Sequence, residues 1–93
     1  MTVPKNRKYP WVPRRPEMMP YVLRAIPYNE WWGIDRIRAR HIEILRDDPV
    51  TCTLSPLNRA TVAAYVEHFV GKGEVKRIVT LGGHRKYQRV RKA

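Results

Sequence analysis

The sequence predicts a small α/β domain, in which a three- to four-stranded sheet packs on two helices in the order β-α-β-α-β. An extended N-terminal arm and a basic C-terminal tail flank it. Three observations carry that prediction. Apolar residues form three short β-rich stretches, they recur at helical spacing in two longer ones, and positive charge gathers at the two ends. The 93 residues suffice for one compact domain. Its divisions are an arm over 1–20, the α/β domain over 21–83 and the tail over 84–93.

The arm holds Pro4, Pro10, Pro13, Pro16 and Pro20. Proline removes backbone donors and fixes φ, so the arm is expected to run extended. Tyr9, Trp11, Val12, Met18 and Met19 punctuate it and point to packing along a surface, its own domain's or a neighbour's. Residues 21–26 (YVLRAI) read as a first strand that Pro27 ends. A helix is expected from about Glu30 to Arg46, capped by Asn29, with Ile34, Ile37, His41, Ile44 and Leu45 on one face. Asp48-Pro49 stops it, because the residue before proline disfavours the α region. Val50 to Leu54 alternates and reads as a second strand, with Val50, Cys52 and Leu54 on one side. Such a strand–helix–strand unit would be a right-handed parallel crossover. Ser55-Pro56 is a start signal for a second helix with Leu57, Val62, Tyr65, Val66, Phe69 and Val70 as its apolar face. Gly71 and Gly73 can end it. Glu74 to Leu81 reads as a third strand, with Val75, Val79 and Leu81 on one side and Lys76, Ile78 and Thr80 on the other. Gly82-Gly83 breaks it.

Nineteen Lys and Arg face eight Asp and Glu, a net charge of +11 with a pI near 10.6. Residues 1–20 hold five cations against Glu17, residues 21–58 five against five, and residues 59–93 nine against two. A balanced centre thus lies between basic ends. Charge of this size disfavours compactness unless a polyanion neutralises it, and nucleic acid and acidic membranes are the two common ones. One cysteine, Cys52, rules out an intrachain disulfide and fits a reducing compartment. Apolar runs are too short to span a membrane, so no transmembrane segment is expected. The first twenty residues lack the apolar stretch of a signal peptide and hold too many prolines for a transit helix.

The chemistry-bearing residues fit structural roles. Ser55 reads as a helix cap and Cys52 as a small core residue. His41, His68 and His84 lie on different elements without metal-ligand spacing, so neither a metal nor a cofactor is expected. Gly71-Lys72-Gly73 follows a helix, whereas a phosphate loop needs strand, loop, then helix. Trp31-Trp32 should divide between the core and an outward surface, with RNA stacking as a further possibility. Arg36, Arg38, Arg40 and Arg46 decorate the first helix, either for contact with a polyanion or as a solvated face paired with Glu43 or Asp47. The tail has no acid to pair with. Arg85, Lys86, Arg89, Arg91 and Lys92, interleaved with Tyr87 and Gln88, suit phosphate contact with stacking or hydrogen bonding to bases. Lys5, Arg7, Lys8, Arg14 and Arg15 form the second expected RNA-binding set. The tail offers only Tyr87 and Val90 for membrane adsorption.

The stretches Val22-Leu23-Arg24, Trp32-Gly33, Arg36 to Arg40, Leu45 and Asp48-Pro49-Val50 carry a resemblance, with Pro56, Tyr65, Gly71 and Val79 after them. Over residues 21–81 the chain resembles the thioredoxin-like family of certain mitochondrial ribosomal proteins, which also includes a small accessory subunit of respiratory complex I. The resemblance implies a thioredoxin-like fold without redox chemistry, inside a large mitochondrial assembly. The expectation is therefore a non-enzymatic structural constituent of a ribosome in the mitochondrial matrix. It would bind ribosomal RNA and neighbouring subunits and take no small-molecule substrate. A non-catalytic peripheral subunit of a mitochondrial respiratory complex is the alternative, and a free-standing nucleic-acid-binding regulator ranks third.

Overall fold

Two prolines shape the first elements of the computed structural model, which describes residues 15–91. The N-terminal set Lys5, Arg7, Lys8 and Arg14, with most of the arm, lies outside the described residues, as does Lys92. A 3-10 turn at Pro16–Met18 runs into helix α1, Met19–Leu23. Proline fits there because the first helical turn needs no N–H bond and favours its fixed φ. The amides of Arg24, Ala25 and Ile26 donate back to Pro20, Val22 and Leu23 at 3.0, 3.0 and 3.1 Å. Met18, Val22, Ala25 and Ile26 are buried, which is helical spacing. The first strand expected over 21–26 is therefore a helix and turn.

Residues Ile34–Asp47 form α2 and bury Ile34, Ile37, His41 and Leu45. Gly33, not Asn29, is its N-cap. Residues 30–33 lie outside the helix, and Trp32 exchanges backbone hydrogen bonds with Tyr87 at 3.0 and 2.8 Å.

The second expected strand is a turn built by Asp48. Its Oδ1 accepts from the Val50 amide at 2.8 Å, and its carbonyl accepts from Thr51 and Cys52 at 3.1 and 2.8 Å. Thr51 points inward, donating its hydroxyl to the Leu45 carbonyl at 2.9 Å. The alternation thus has the opposite polarity, and Cys52 is exposed instead of filling the core. Helix α3, Arg59–Gly71, starts beyond Ser55-Pro56-Leu57, and its cap is Asn58, which accepts from the Thr61 amide at 2.8 Å. Val62, Tyr65, Val66 and Phe69 face the core, joined by Leu57 just before the helix.

Strand β1 covers Val75–Val79 and strand β2 covers Arg85–Arg89, in antiparallel register Val75↔Arg89, Arg77↔Tyr87 and Val79↔Arg85. Half of the expected basic tail, residues 85–89 of 84–93, is thus the second arm of a hairpin. The architecture is three helices followed by one two-stranded antiparallel sheet. The three- to four-stranded β-α-β-α-β thioredoxin-like fold is not formed. Two of its three strands are turn or helix, so no parallel crossover exists among the described residues. The core lies between the helices and the inner face of the hairpin. Tyr65, Phe69 and Tyr87 are its largest side chains, and Phe69 alone contributes about 1.5–3 kcal/mol by burial.

Candidate nucleic-acid interface

Strand geometry sorts the residues of the expected tail into two faces. Arg85, Tyr87 and Arg89 share the inner face, while Lys86 and Gln88 point outward. Tyr87 is 2% exposed, and its hydroxyl donates to Glu67 Oε2 at 2.5 Å. Burial, reinforced by that bond and by the carboxylate charge, pushes its pKa up to about 12. Its ring serves the core, so base stacking falls to other aromatics. Arg77 donates to Glu67 Oε1 at 2.5 Å, and Arg85 approaches Oε2 at 3.6 Å. Glu67 therefore fastens the hairpin to α3.

The outward face carries Lys76 and Ile78 from β1 against Gln88 and Lys86 from β2. Trp32 pairs with Tyr87 on the inner side, so Trp31 turns outward beside this face, and the Lys76 ammonium lies 5.9 Å from its ring centroid. Neither Lys76 nor Lys86 pairs with a carboxylate among the described residues. At the end of β2 and just past it, Arg89 and Arg91 stack on the exposed Tyr28 at 4.1 and 4.6 Å. Arg89 also donates to the Ile26 carbonyl at 3.0 Å, and Arg91 to Asn29 Oδ1 at 3.1 Å.

An aromatic ring or a carbonyl orders a cation without cancelling its charge. A carboxylate cancels it. Five cation–aromatic pairs occur among the described residues, where about one per 70–80 residues is usual. From Val75 to Arg91 the sequence has six Lys and Arg and no acid. Arg77 and Arg85 are paired with Glu67, so this surface is an array of four cations without a carboxylate partner among the described residues, Lys76, Lys86, Arg89 and Arg91, three of them beside an aromatic ring. Such an array neutralises phosphates and offers π-faces to bases.

A scan against protein-family models and a search of curated proteins return no match. The site's chemistry therefore speaks through its own residues. A cleft of about 590 Å³ opens between the first turns of α2 and α3 and β2. Arg36, Arg59, Arg85 and Lys86 line it, with Asp35 as its one carboxylate. The arginines of α2 serve the fold more than a ligand. Arg38 donates to the Leu57 carbonyl at 3.0 Å, Arg40 pairs with Glu43 at 3.0 Å, and Arg36 stacks on Trp32 at 4.3 Å. Arg15 is bound at both backbone atoms by the Tyr65 hydroxyl, at 3.1 and 2.9 Å, and its side chain reaches the Ser55 carbonyl at 3.3 Å. The hairpin thus carries Arg85, Lys86 and Arg89, with Arg91 just beyond it; Lys86 faces outward, Arg85 and Arg89 lie on the other face, and Arg15 is set apart, by α3. Trp31, Lys76, Gln88 and Tyr28 complete the surface. The Gly-Gly pair after a strand was the signal that could have shown a returning strand here.

Three helices followed by a hairpin also raise a helix-turn-helix reading with α3 in a DNA groove. The outward side of α3 does not suit it. Ala60 and Ala64 offer no base-reading groups, and Arg59 is paired with Asp35 at 2.6 Å. Residues 48–58 also make a longer connection than the usual 3–4-residue turn of that motif. Among the described residues no group of three His, Cys, Asp or Glu could hold a metal, and no helix is long and apolar enough to cross a membrane.

Proposed function

We propose that this protein is a non-catalytic structural subunit of a ribonucleoprotein particle, a ribosome, and that it binds ribosomal RNA through its C-terminal hairpin. One observation carries the reading: the acid-free hairpin, where Lys76, Arg89 and, just beyond it, Arg91 are set by aromatic rings and carbonyls and Lys86 faces outward without a carboxylate partner among the described residues. Lys76 and Lys86 neutralise phosphates and release counterions, and Trp31 gives an unpaired base a surface to stack on. Arg89 and Arg91, preset on Tyr28, present guanidinium groups to the backbone or to a base. The remaining basic residues, Lys5, Arg7, Lys8, Arg14 and Lys92 among them, extend the interaction to further RNA and to neighbouring subunits. The mitochondrial address came with the thioredoxin-like resemblance, whose fold the chain does not adopt. The RNA reading rests on charge and surface and does not depend on it.

The decisive experiment is sedimentation of the native protein. It should travel with ribosomal particles and leave them after ribonuclease treatment. Travel with a ribonuclease-resistant membrane complex would sink the reading in favour of a respiratory accessory subunit. Removing residues 84–93 is not a usable probe of binding, because it removes β2 and takes Tyr87 out of the core. The double substitution Lys76→Gln with Lys86→Gln touches only the outward face. It should weaken RNA binding and reduce the slope of log K against log[salt] by about 1.4 to 1.8, from about 0.7 to 0.9 for each phosphate that is no longer neutralised.

A further inference from the structure

The hairpin tip has a property that folding does not explain. On the inner face Val75 is buried, yet Val79, at the far end of the same strand, is 61% exposed. The hairpin therefore outruns the helices it packs on. Leu81 in the turn is fully exposed, and Ile78 on the outer face is 40% exposed. The turn is closed by hydrogen bonds. The Thr80 amide donates to the His84 carbonyl at 2.8 Å, the Gly83 amide to the Thr80 carbonyl at 2.9 Å, and the His84 amide to Thr80 Oγ1 at 3.3 Å. An apolar side chain is thus held in water at the end of an ordered turn. Every charged residue on the two strands beside it has the same sign: Lys76, Arg77, Arg85, Lys86 and Arg89. An apolar pocket on a protein would match the leucine and leave the cations to find acids elsewhere. RNA supplies both, base faces for the leucine and phosphates for the cations.

We propose that the tip is a wedge, with Leu81, backed by Val79, entering the base stack of RNA at a bulge or helix end while Lys76 and Lys86 hold the flanking phosphates. The proposal rests on the RNA reading above and specifies how the hairpin engages. Apolar wedges part base steps at an unstacking cost that is least where a base is already unpaired. A bulge is therefore preferred over continuous duplex.

The test uses the full chain and an RNA stem that carries 2-aminopurine beside a bulge, with the fully paired stem as comparison. Wild-type protein should raise the fluorescence of the bulged stem as the base unstacks, and bind it more tightly than the paired stem. Leu81→Ser should lose that rise and bind about tenfold more weakly, with an unchanged salt slope. Leu81→Phe should keep the rise. Circular dichroism should show both variants folded, since the side chain touches no core. A wild-type rise and wild-type affinity in Leu81→Ser would overturn the wedge. The Lys76→Gln, Lys86→Gln variant separates that failure from the broader one. If it weakens binding and lowers the slope, the RNA reading survives without the wedge, and if it binds like wild type, both fall. Flotation with anionic vesicles that Leu81→Ser abolishes, beside unchanged RNA binding, would also overturn the proposal.

Discussion

His41 has one arrangement of protons that serves both ring nitrogens. The Leu57 amide donates to Nε2 at 3.3 Å, so Nε2 must accept, and the ring proton sits on Nδ1, 3.4 Å from the Tyr21 carbonyl. The ring is fully buried, and burial, aided by the charges of Arg38 and Arg15, holds its pKa below 6.5 against the opposing carbonyl bond. A second proton would set N–H against N–H. The unfolded chain therefore takes up a proton that the folded chain refuses. Its contribution is complete above pH 6.5 and is lost as pH falls from there through the lowered folded value. The urea midpoint should fall over that range, as stability declines by at most about 1.4 kcal/mol per pH unit, and His41→Gln should flatten the dependence. Tyr87 acts at the other end of the scale. Its raised pKa gives a contribution complete below pH 10 and lost as pH rises through about 12. Glu67→Ala leaves the enclosed Tyr87 hydroxyl without its acceptor and should cost about 1–3 kcal/mol. In the same variant, spectrophotometric titration should show the Tyr87 pKa moving down from about 12, yet staying above 10, because burial persists.

At the scale of elements, the two long helices were legible because their apolar spacing carries the signal: Ile34, Ile37, His41 and Leu45 in α2, and Val62, Tyr65, Val66 and Phe69 in α3. Two strands expected from the sequence do not form and one that forms was not expected, for three different reasons. Residues 21–26 are rich in strand-forming types, but Pro20 nucleates a turn of helix and burial follows Met18, Val22 and Ile26. Residues 50–54 alternate, yet Asp48 gathers their amides into a turn and Thr51 goes inward. Residues 85–89 look like a solvated tail because four of the five are polar or charged, while the decisive inward residue is the single Tyr87. The same disguise hides the site. Cations that resemble a flexible extension are fixed on a strand, and the aromatics beside them come from residues 28 and 31, far away in sequence. The hairpin depends on its turn, where Gly83 takes φ 81°. An alanine there meets no neighbour, so its cost is purely conformational, about 1–2 kcal/mol. Gly83→Ala should lower the Tm by about 4–8 °C for each kcal/mol, and Gly71→Ala, at a helical position open to solvent, should not lower it.

At the scale of the whole molecule, the excess charge divides unequally between the described residues and the two ends of the sequence. Residues 15–91 hold fourteen Lys and Arg against all eight acids, and the other sixteen residues hold the remaining five cations and no acid. Among the described residues, Arg40 and Arg59 are cancelled by Glu43 and Asp35, Arg77 and Arg85 share Glu67, and Arg38 is occupied by the Leu57 carbonyl. The uncancelled remainder concentrates on the hairpin and the Tyr28 stack, so residues 15–91 are polarised, with a near-neutral helical body and a cationic edge. The cationic edge and the N-terminal cations should contribute to RNA affinity independently where they address different phosphates. Substituting Lys5, Arg7, Lys8 and Arg14 by Gln removes four charges and should reduce the salt slope by up to about 3 to 4. That reduction should add to the one from Lys76→Gln with Lys86→Gln, so that the combined variant's slope falls by the sum of the two. The wedge signal from Leu81 should persist in the N-terminal variant, since that variant leaves the hairpin intact. A combined reduction well short of the sum would show that both sets address the same phosphates, and would replace two binding regions on the RNA with one.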